Sequence, residues 1–191
     1  HPANTLSLHD ALPISILDFA TQNKGETLSE ALTNWNKLAK DVSSCDYGFH
    51  MAITQWNEDI KDEIKIMCSQ GITSFKAYMA YDNLRLNDGE IYDILKCLKK
   101  YNGLLSVHCE NGDLVNTMIK EQLNSGNITP AAHPLSRPNI VESEAVSRYI
   151  DIANLAGAPI YIVHLSTKES LEEVVKARKR GQKVYVETCP Q

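Results

Sequence analysis

The chain has 191 residues, 43% of them hydrophobic, which is enough to build the core of one globular domain. Its 24 acidic and 19 basic side chains are intermixed along the chain and leave a net charge of −5, so it offers no polyanion-binding surface and nucleic acid is not expected as a partner. No apolar run approaches the roughly 18 residues a membrane helix needs, and the five cysteines, odd in number and without a C-x-x-C pair, fit packed, reduced thiols in a cytoplasmic protein.

Residues 1–15, H-P-A-N-T-L-S-L-H-D-A-L-P-I-S, have neither the layout of a signal peptide nor a helical or strand period. They read as a non-native leader, so His1 and His9 carry no functional weight and the domain is taken as 16–191. The first strand is I-S-I-L-D-F-A, followed by a capping box at Thr27 and Glu30 and an amphipathic helix to about Asp41. A strand over 47–54 precedes a helix over 58–70, with Asn57 as cap and Gly71 as stop. A strand over 72–79 leads to a helix over 88–102, capped by Asn87 and Glu90 and stopped by Gly103. Next come a strand over 104–110, a helix over 113–124 and a Pro-rich excursion over 126–138 that holds His133. A helix over 139–156 begins at Pro138, then a strand over 159–165, a helix boxed by Ser166 and Glu169 and ending at Gly181, and a last strand over 183–189.

Six strand signals alternating with helices imply crossover connections and a parallel sheet. A doubly wound sheet and a β/α barrel both satisfy that pattern, but no Gly-rich phosphate loop opens any helix. A barrel needs eight strands and typically about 250 residues. The fold class expected is therefore α/β, a partial (β/α)8 TIM-type barrel of about six βα units.

Three strands end alike, in S-F-K-A-Y, L-S-V-H-C-E-N and Y-I-V-H-L-S-T. Alternation puts Ser74, Lys76 and Tyr78 on one face of the first, Ser106, His108 and Glu110 on one face of the second, and Ile162, His164 and Ser166 on one face of the third. Val107, Cys109, Val163 and Leu165 are then left to face the helices. Inward residues at the C-terminal strand ends of a barrel converge on its mouth, where Lys76, His108 and His164 would meet. A lysine buried beside Phe75 and Tyr78 must pair with a charge or give up its proton, and a neutral amine is a nucleophile or ligand precursor. The alternative is a lysine that snorkels to solvent. Two imidazoles and an oxygen donor make a zinc-type ligand set. Taken singly, His50 reads as a hydrogen-bonded core histidine, His133 as solvated, Cys109 as a packed thiol, and Glu110 and Asn111 as caps of the helix after them, with Asp113 in its first turn.

Over 14–191 the chain resembles the hydantoinase/dihydropyrimidinase family of cyclic amidohydrolases. The likeness rests on S-F-K-A-Y-M-A-Y, V-H-C-E-N-G-D-L, H-P-L-S-R-P, Y-I-V-H-L-S and V-E-T-C-P-Q. The resemblance implies that Lys76 is an N6-carboxylysine bridging two Zn2+ ions, that His108 and His164 bind one of them, and that Tyr81 donates a hydrogen bond to the substrate carbonyl. It further implies hydrolysis of the ring amide of 5,6-dihydropyrimidines or hydantoins to N-carbamoyl amino acids, by a homotetramer acting on a small cyclic amide with no membrane involved. The family's H-x-H pair is absent, and the chain reaches Gln191 without the strand-end aspartate of the last metal ligand. The 191-residue chain alone is accordingly expected to be inactive or nearly so. Two rivals remain: an allantoinase-like enzyme, which shares the lysine and histidine strand ends, and a non-catalytic dihydropyrimidinase-like scaffold that keeps the fold without the metal ligands, against which the retention of Lys76, His108 and His164 argues.

Overall fold

A computed structural model describes residues 14–189. Its six strands are β1 (Ser15–Thr21), β2 (Asp46–Ala52), β3 (Ser74–Tyr78), β4 (Leu104–His108), β5 (Ile160–Ile162) and β6 (Val184–Val186). Every neighbouring pair is parallel, and the strands lie side by side in the order of the sequence. That order decides between the two architectures, because a doubly wound sheet reverses its strand order at a switch point and a barrel does not. The described residues form six consecutive strands of a (β/α)8 barrel. Of the assigned leader, residues 1–13 with His1 and His9 lie outside the described residues, while Ser15 opens β1.

The helices are α1 (Leu28–Ala39), α2 (Glu58–Ser69), α3 (Asp88–Lys99), α4 (Gly112–Asn124), a single turn α5 (Ala132–Leu135), α6 (Asn139–Ala156) and α7 (Lys168–Lys179). Thr27 with Glu30 and Asn87 with Glu90 form complete capping boxes, and the Asn57 side chain accepts from the Ile60 amide. Gly71 and Gly181 end their helices at φ 90° and 85°, conformations that cost a residue without Cβ nothing. Two expectations fail locally. Asn102, at φ 54°, turns the chain after α3, whereas Gly103 instead admits Leu98, whose Cδ2 would lie 3.0 Å from an added Cβ. The Ser166–Glu169 box does not form either: Thr167 caps α7 by accepting from the Ser170 amide at 3.2 Å, and the Ser166 amide is taken by a carboxylate of another helix.

The two faces of the sheet differ in chemistry. Met51, Phe75, Ala77, Leu105, Val107, Ile160, Ile162 and Val184 are buried and pack with Ile64 and Met67 of α2, Ile91 and Leu95 of α3, Tyr149 and Ala153 of α6 and Val174 of α7. The opposite face follows the register Thr21, Ala52, Lys76, Ser106, Tyr161, Tyr185 across all six strands. This is the mixed, more polar lining of a barrel interior, and it puts Lys76 in the middle of the row. Among the described residues no helix is long and apolar enough to cross a membrane. All five cysteines are free thiols.

Phe75 is fully buried between sheet and helices, so Phe75→Ala should remove about 3–5 kcal/mol of stability. Urea unfolding with an unchanged m-value and a lowered midpoint is the expected result.

Candidate active site

Lys76 lies one residue pair below the end of β3, beside Ala52 and Ser106. It is only 4% exposed. Its ammonium nitrogen sits 5.2 Å from the centre of the Tyr78 ring and 5.6 Å from that of Phe19, and no carboxylate among the described residues pairs with it. Desolvation pulls its pKa from the ordinary 10.5 down to about 8, against weaker opposing pulls from Cys109 and Glu187. The inward placement expected for Ser74, Lys76 and Tyr78 is what the register gives, while Phe75 and Ala77 enter the core.

His108 ends β4 next to Tyr78 in register, and its ring is 6.3 Å from that of Tyr78 and 5.0 Å from that of Tyr81. Its Nε2–H donates to Glu110 Oε2 at 2.7 Å, which leaves the Nδ1 lone pair free to point at His164 Nε2, 2.9 Å away. Glu110 therefore orients His108. Only Asn111 caps α4, accepting from the Leu114 amide, and Asp113 in the first turn pairs with Arg85 at 2.6 Å. Burial raises the Glu110 carboxyl pKa, but the His108 bond and the charges of His108, Arg137 and His164 outweigh it and hold the group below its usual range.

His164 reaches the site by a route that alternation does not describe. The pairs Leu105 with Ile160 and Val107 with Ile162 place both isoleucines on the helix side, and Tyr161 beside inward Ser106. Strict alternation would send His164 the same way as Ile162, away from His108. The backbone breaks phase instead: His164 takes φ 38°, and its ring turns inward to stand 4.8 Å from that of His108. The expected common face for Ile162, His164 and Ser166 is thus wrong for Ile162, although the conclusion about His164 holds. Burial, followed by the nearby His108 and Lys76 charges, lowers the His164 pKa.

Tyr81 also sits in the left-handed region, at φ 69°, and its ring packs edge-on to Tyr78 at 6.5 Å. Such a conformation costs a non-glycine residue of order 1–3 kcal/mol, and it gathers where geometry serves a site. Burial, then the negative charge of Glu110, raises the pKa of the Tyr81 hydroxyl, while a hydrogen bond from Arg137 works the other way. Arg137 also stands 3.5 Å from Glu110. Sequence reasoning missed Arg137 and the orienting role of Glu110; the S-R-P motif marked the first of them without revealing a contact. His50 lies deeper on the same inward face, bonded to Ser74 Oγ at 2.7 Å and packed on the Phe19 ring, and the buried Cys109 faces the core, where burial pushes its thiol pKa up. His133 is exposed.

A parallel barrel sheet with a buried lysine, paired imidazoles and a hydroxyl at the C-terminal strand ends has the layout of a barrel enzyme. Comparison with known proteins narrows that class. No family model matches the chain. The chain is 40% identical over 179 residues to the D-hydantoinase of Geobacillus stearothermophilus, covering 93% of this chain and 38% of that protein. It is 40% identical over 174 residues to the dihydropyrimidinase of Dictyostelium discoideum, covering 90% of this chain and 35% of that one. The solved D-hydantoinase from Bacillus sp. AR9 superposes with a TM-score of 0.91 at 38% identity, covering 93% of this chain and 40% of the other. A dihydropyrimidinase from Brevibacillus agri NCHU1002 gives 0.90 at the same identity, with 93% and 39% covered. The chain belongs to the hydantoinase/dihydropyrimidinase family and spans about two fifths of the length of these relatives.

The lowered Lys76 pKa carries a sign. Between about pH 8 and 10.5 the unfolded chain binds more protons at this group than the folded one, so stability rises with pH across that window. Near pH 7 the full cost of a buried ammonium is present. Lys76→Met should therefore raise the stability of the metal-free protein by about 2–3 kcal/mol at pH 7, with the advantage shrinking as the pH climbs to 10.5. Urea midpoints at pH 7, 9 and 10.5 check it.

Proposed function

We propose that the protein of which this chain provides the mouth of the barrel is a metal-dependent cyclic amidohydrolase, opening the ring amide of 5,6-dihydropyrimidines or hydantoins to N-carbamoyl amino acids. The observation that carries this reading is the opposition of His108 Nδ1 and His164 Nε2 at 2.9 Å, above an inward, buried lysine of depressed pKa one alternation step lower on the neighbouring strand.

The donor chemistry fits a divalent cation in a particular way. Among the described residues no three His, Cys, Asp or Glu side chains gather tightly enough to hold a metal by themselves. Two imidazoles are one oxygen short of a zinc ligand set, and we assign the missing donor to Lys76, which faces inward on the neighbouring strand below His108. With a pKa of about 8, roughly a tenth of its amine is uncharged at pH 7 and able to add carbon dioxide as a carbamate, which carries two oxygens. His108, His164 and carboxylated Lys76 would hold the metal, and zinc as a pair of ions is the form the sequence resemblance implies. A bound cation of this kind polarises a carbonyl and lowers the pKa of water to near neutrality.

The chain's own residues supply the rest. Glu110 keeps the proton of His108 on Nε2, so that Nδ1 presents its lone pair. Tyr81, whose raised pKa keeps its hydroxyl protonated at neutral pH, donates a hydrogen bond to the substrate carbonyl as negative charge grows on oxygen. Arg137 stands 3.5 Å from Glu110, and its positive charge works against the rise in the Tyr81 pKa. The free cysteines support a reducing, cytoplasmic setting, and a homotetramer is the assembly we attach to this reading.

Turnover of dihydrouracil and hydantoin, followed by appearance of the N-carbamoyl acid, tests the proposal on the full protein. Chelation should abolish turnover and added Zn2+ restore it. Tyr81→Phe should lower kcat by about 10²–10³ with the metal still bound, and Lys76→Ala should lose metal and activity together. Undiminished turnover in Lys76→Ala would overturn the reading.

A further inference from the structure

The φ of 38° at His164 is a strained conformation for a residue with a Cβ, and its side chain borders a cavity of about 90 Å3 lined by His108, Glu110, Glu142 and Ser166 among others. The amides of its buried neighbours Val163 and Leu165 donate to Val107 and Glu187 of the flanking strands. The segment that follows is held by hydrogen bonds. Oε1 of Glu142, in the first turn of α6, accepts from the Ser166 amide at 3.0 Å, the Thr167 amide at 3.2 Å and the Thr167 hydroxyl at 3.4 Å. Ser166 Oγ in turn donates to the carbonyl of His164 at 2.8 Å. The same helix grips the segment after His108: the Val141 carbonyl accepts from the Asn111 amide at 3.0 Å, and Glu144 accepts from the Asn111 side chain at 2.8 Å.

A plain helix cap would explain Glu142 only if α7 lacked one. It has its own in Thr167, and Glu142 reaches past it to the amide of Ser166, two residues from His164. We infer that Glu142 is a positioning residue: it fastens the turn after β5 so that His164 leaves the strand alternation and faces His108. The inference rests on the proposed metal site for its purpose, but not for its geometry. What the turn needs is an acceptor oxygen, not a charge, so the amide isostere should serve and a shorter side chain should not.

The test uses the full chain, metal-free and then titrated with Co2+. In the metal-free protein, NMR contacts between the His108 and His164 rings, and slow hydrogen exchange at the Ser166 and Thr167 amides, should survive in Glu142→Gln and be lost in Glu142→Ala. Co2+ affinity should fall at least about tenfold in Glu142→Ala and stay within about threefold in Glu142→Gln. If Glu142→Ala does not fold, Glu142→Asp, one methylene shorter with the charge kept, should show the same loss of ring contact. Ring contacts and exchange in Glu142→Ala or Glu142→Asp equal to the unsubstituted protein would overturn the inference, as would a Glu142→Gln as impaired as Glu142→Ala. Should the unsubstituted protein bind no Co2+, the metal reading fails, and the ring contacts in the metal-free variants still decide the role of Glu142.

Discussion

A primary amine shut inside a barrel, with aromatic rings near it and no carboxylate among the described residues paired to it, is destabilised as an ammonium ion. Lys76 is in that position, and its pKa near 8 is the direct result. A structural lysine would have been given a partner or a path to solvent, since an unpaired buried charge weakens the fold. Keeping the amine bare makes sense where the uncharged form has a use. The rest of the site is arranged around that fact: Ser106 beside it in register, the two histidines above it at the strand ends, and Tyr81 over the mouth.

Near this amine the backbone departs from regular geometry at two residues of the candidate site. Tyr81 and His164 both adopt positive φ. The curvature of a barrel draws the inward side chains of neighbouring strands together, but Ile162 on the helix side puts His164 out of phase with them. The backbone of β5 breaks that phase beyond Ile162, and the residues after it donate to Glu142 of α6. That helix also carries, just before its start, the arginine that touches Glu110, so one element tunes the surroundings of both histidines.

What could be read from residues alone was whatever depends on local spacing. Capping boxes at Thr27 and Asn87 and the inward phase of Lys76 and His108 are local, and the structure has them as expected. The family resemblance read from those motifs agrees with the likeness to whole relatives over 93% of the chain. Contacts between distant segments were not legible. Glu110 looked like a cap because it precedes a helix, and only the fold shows that Asn111 does the capping while Glu110 turns to His108. Ser166 looked like half of a capping box, and only the fold supplies Glu142 as the competing acceptor for its amide.

The sequence by itself determined the number and order of the βα units, the side of the sheet that Lys76 and His108 occupy, and the chemical types available at the strand ends, because these follow from periodicity and residue identity along a short stretch of chain. The tertiary structure alone decided that the sheet keeps sequential order, that His164 abandons its strand's phase, that Glu110 meets His108 and Arg137, and that Glu142 takes the amides after His164. Those outcomes depend on which carboxylate reaches which amide or ring across tens of residues, and no local pattern encodes a distance through space.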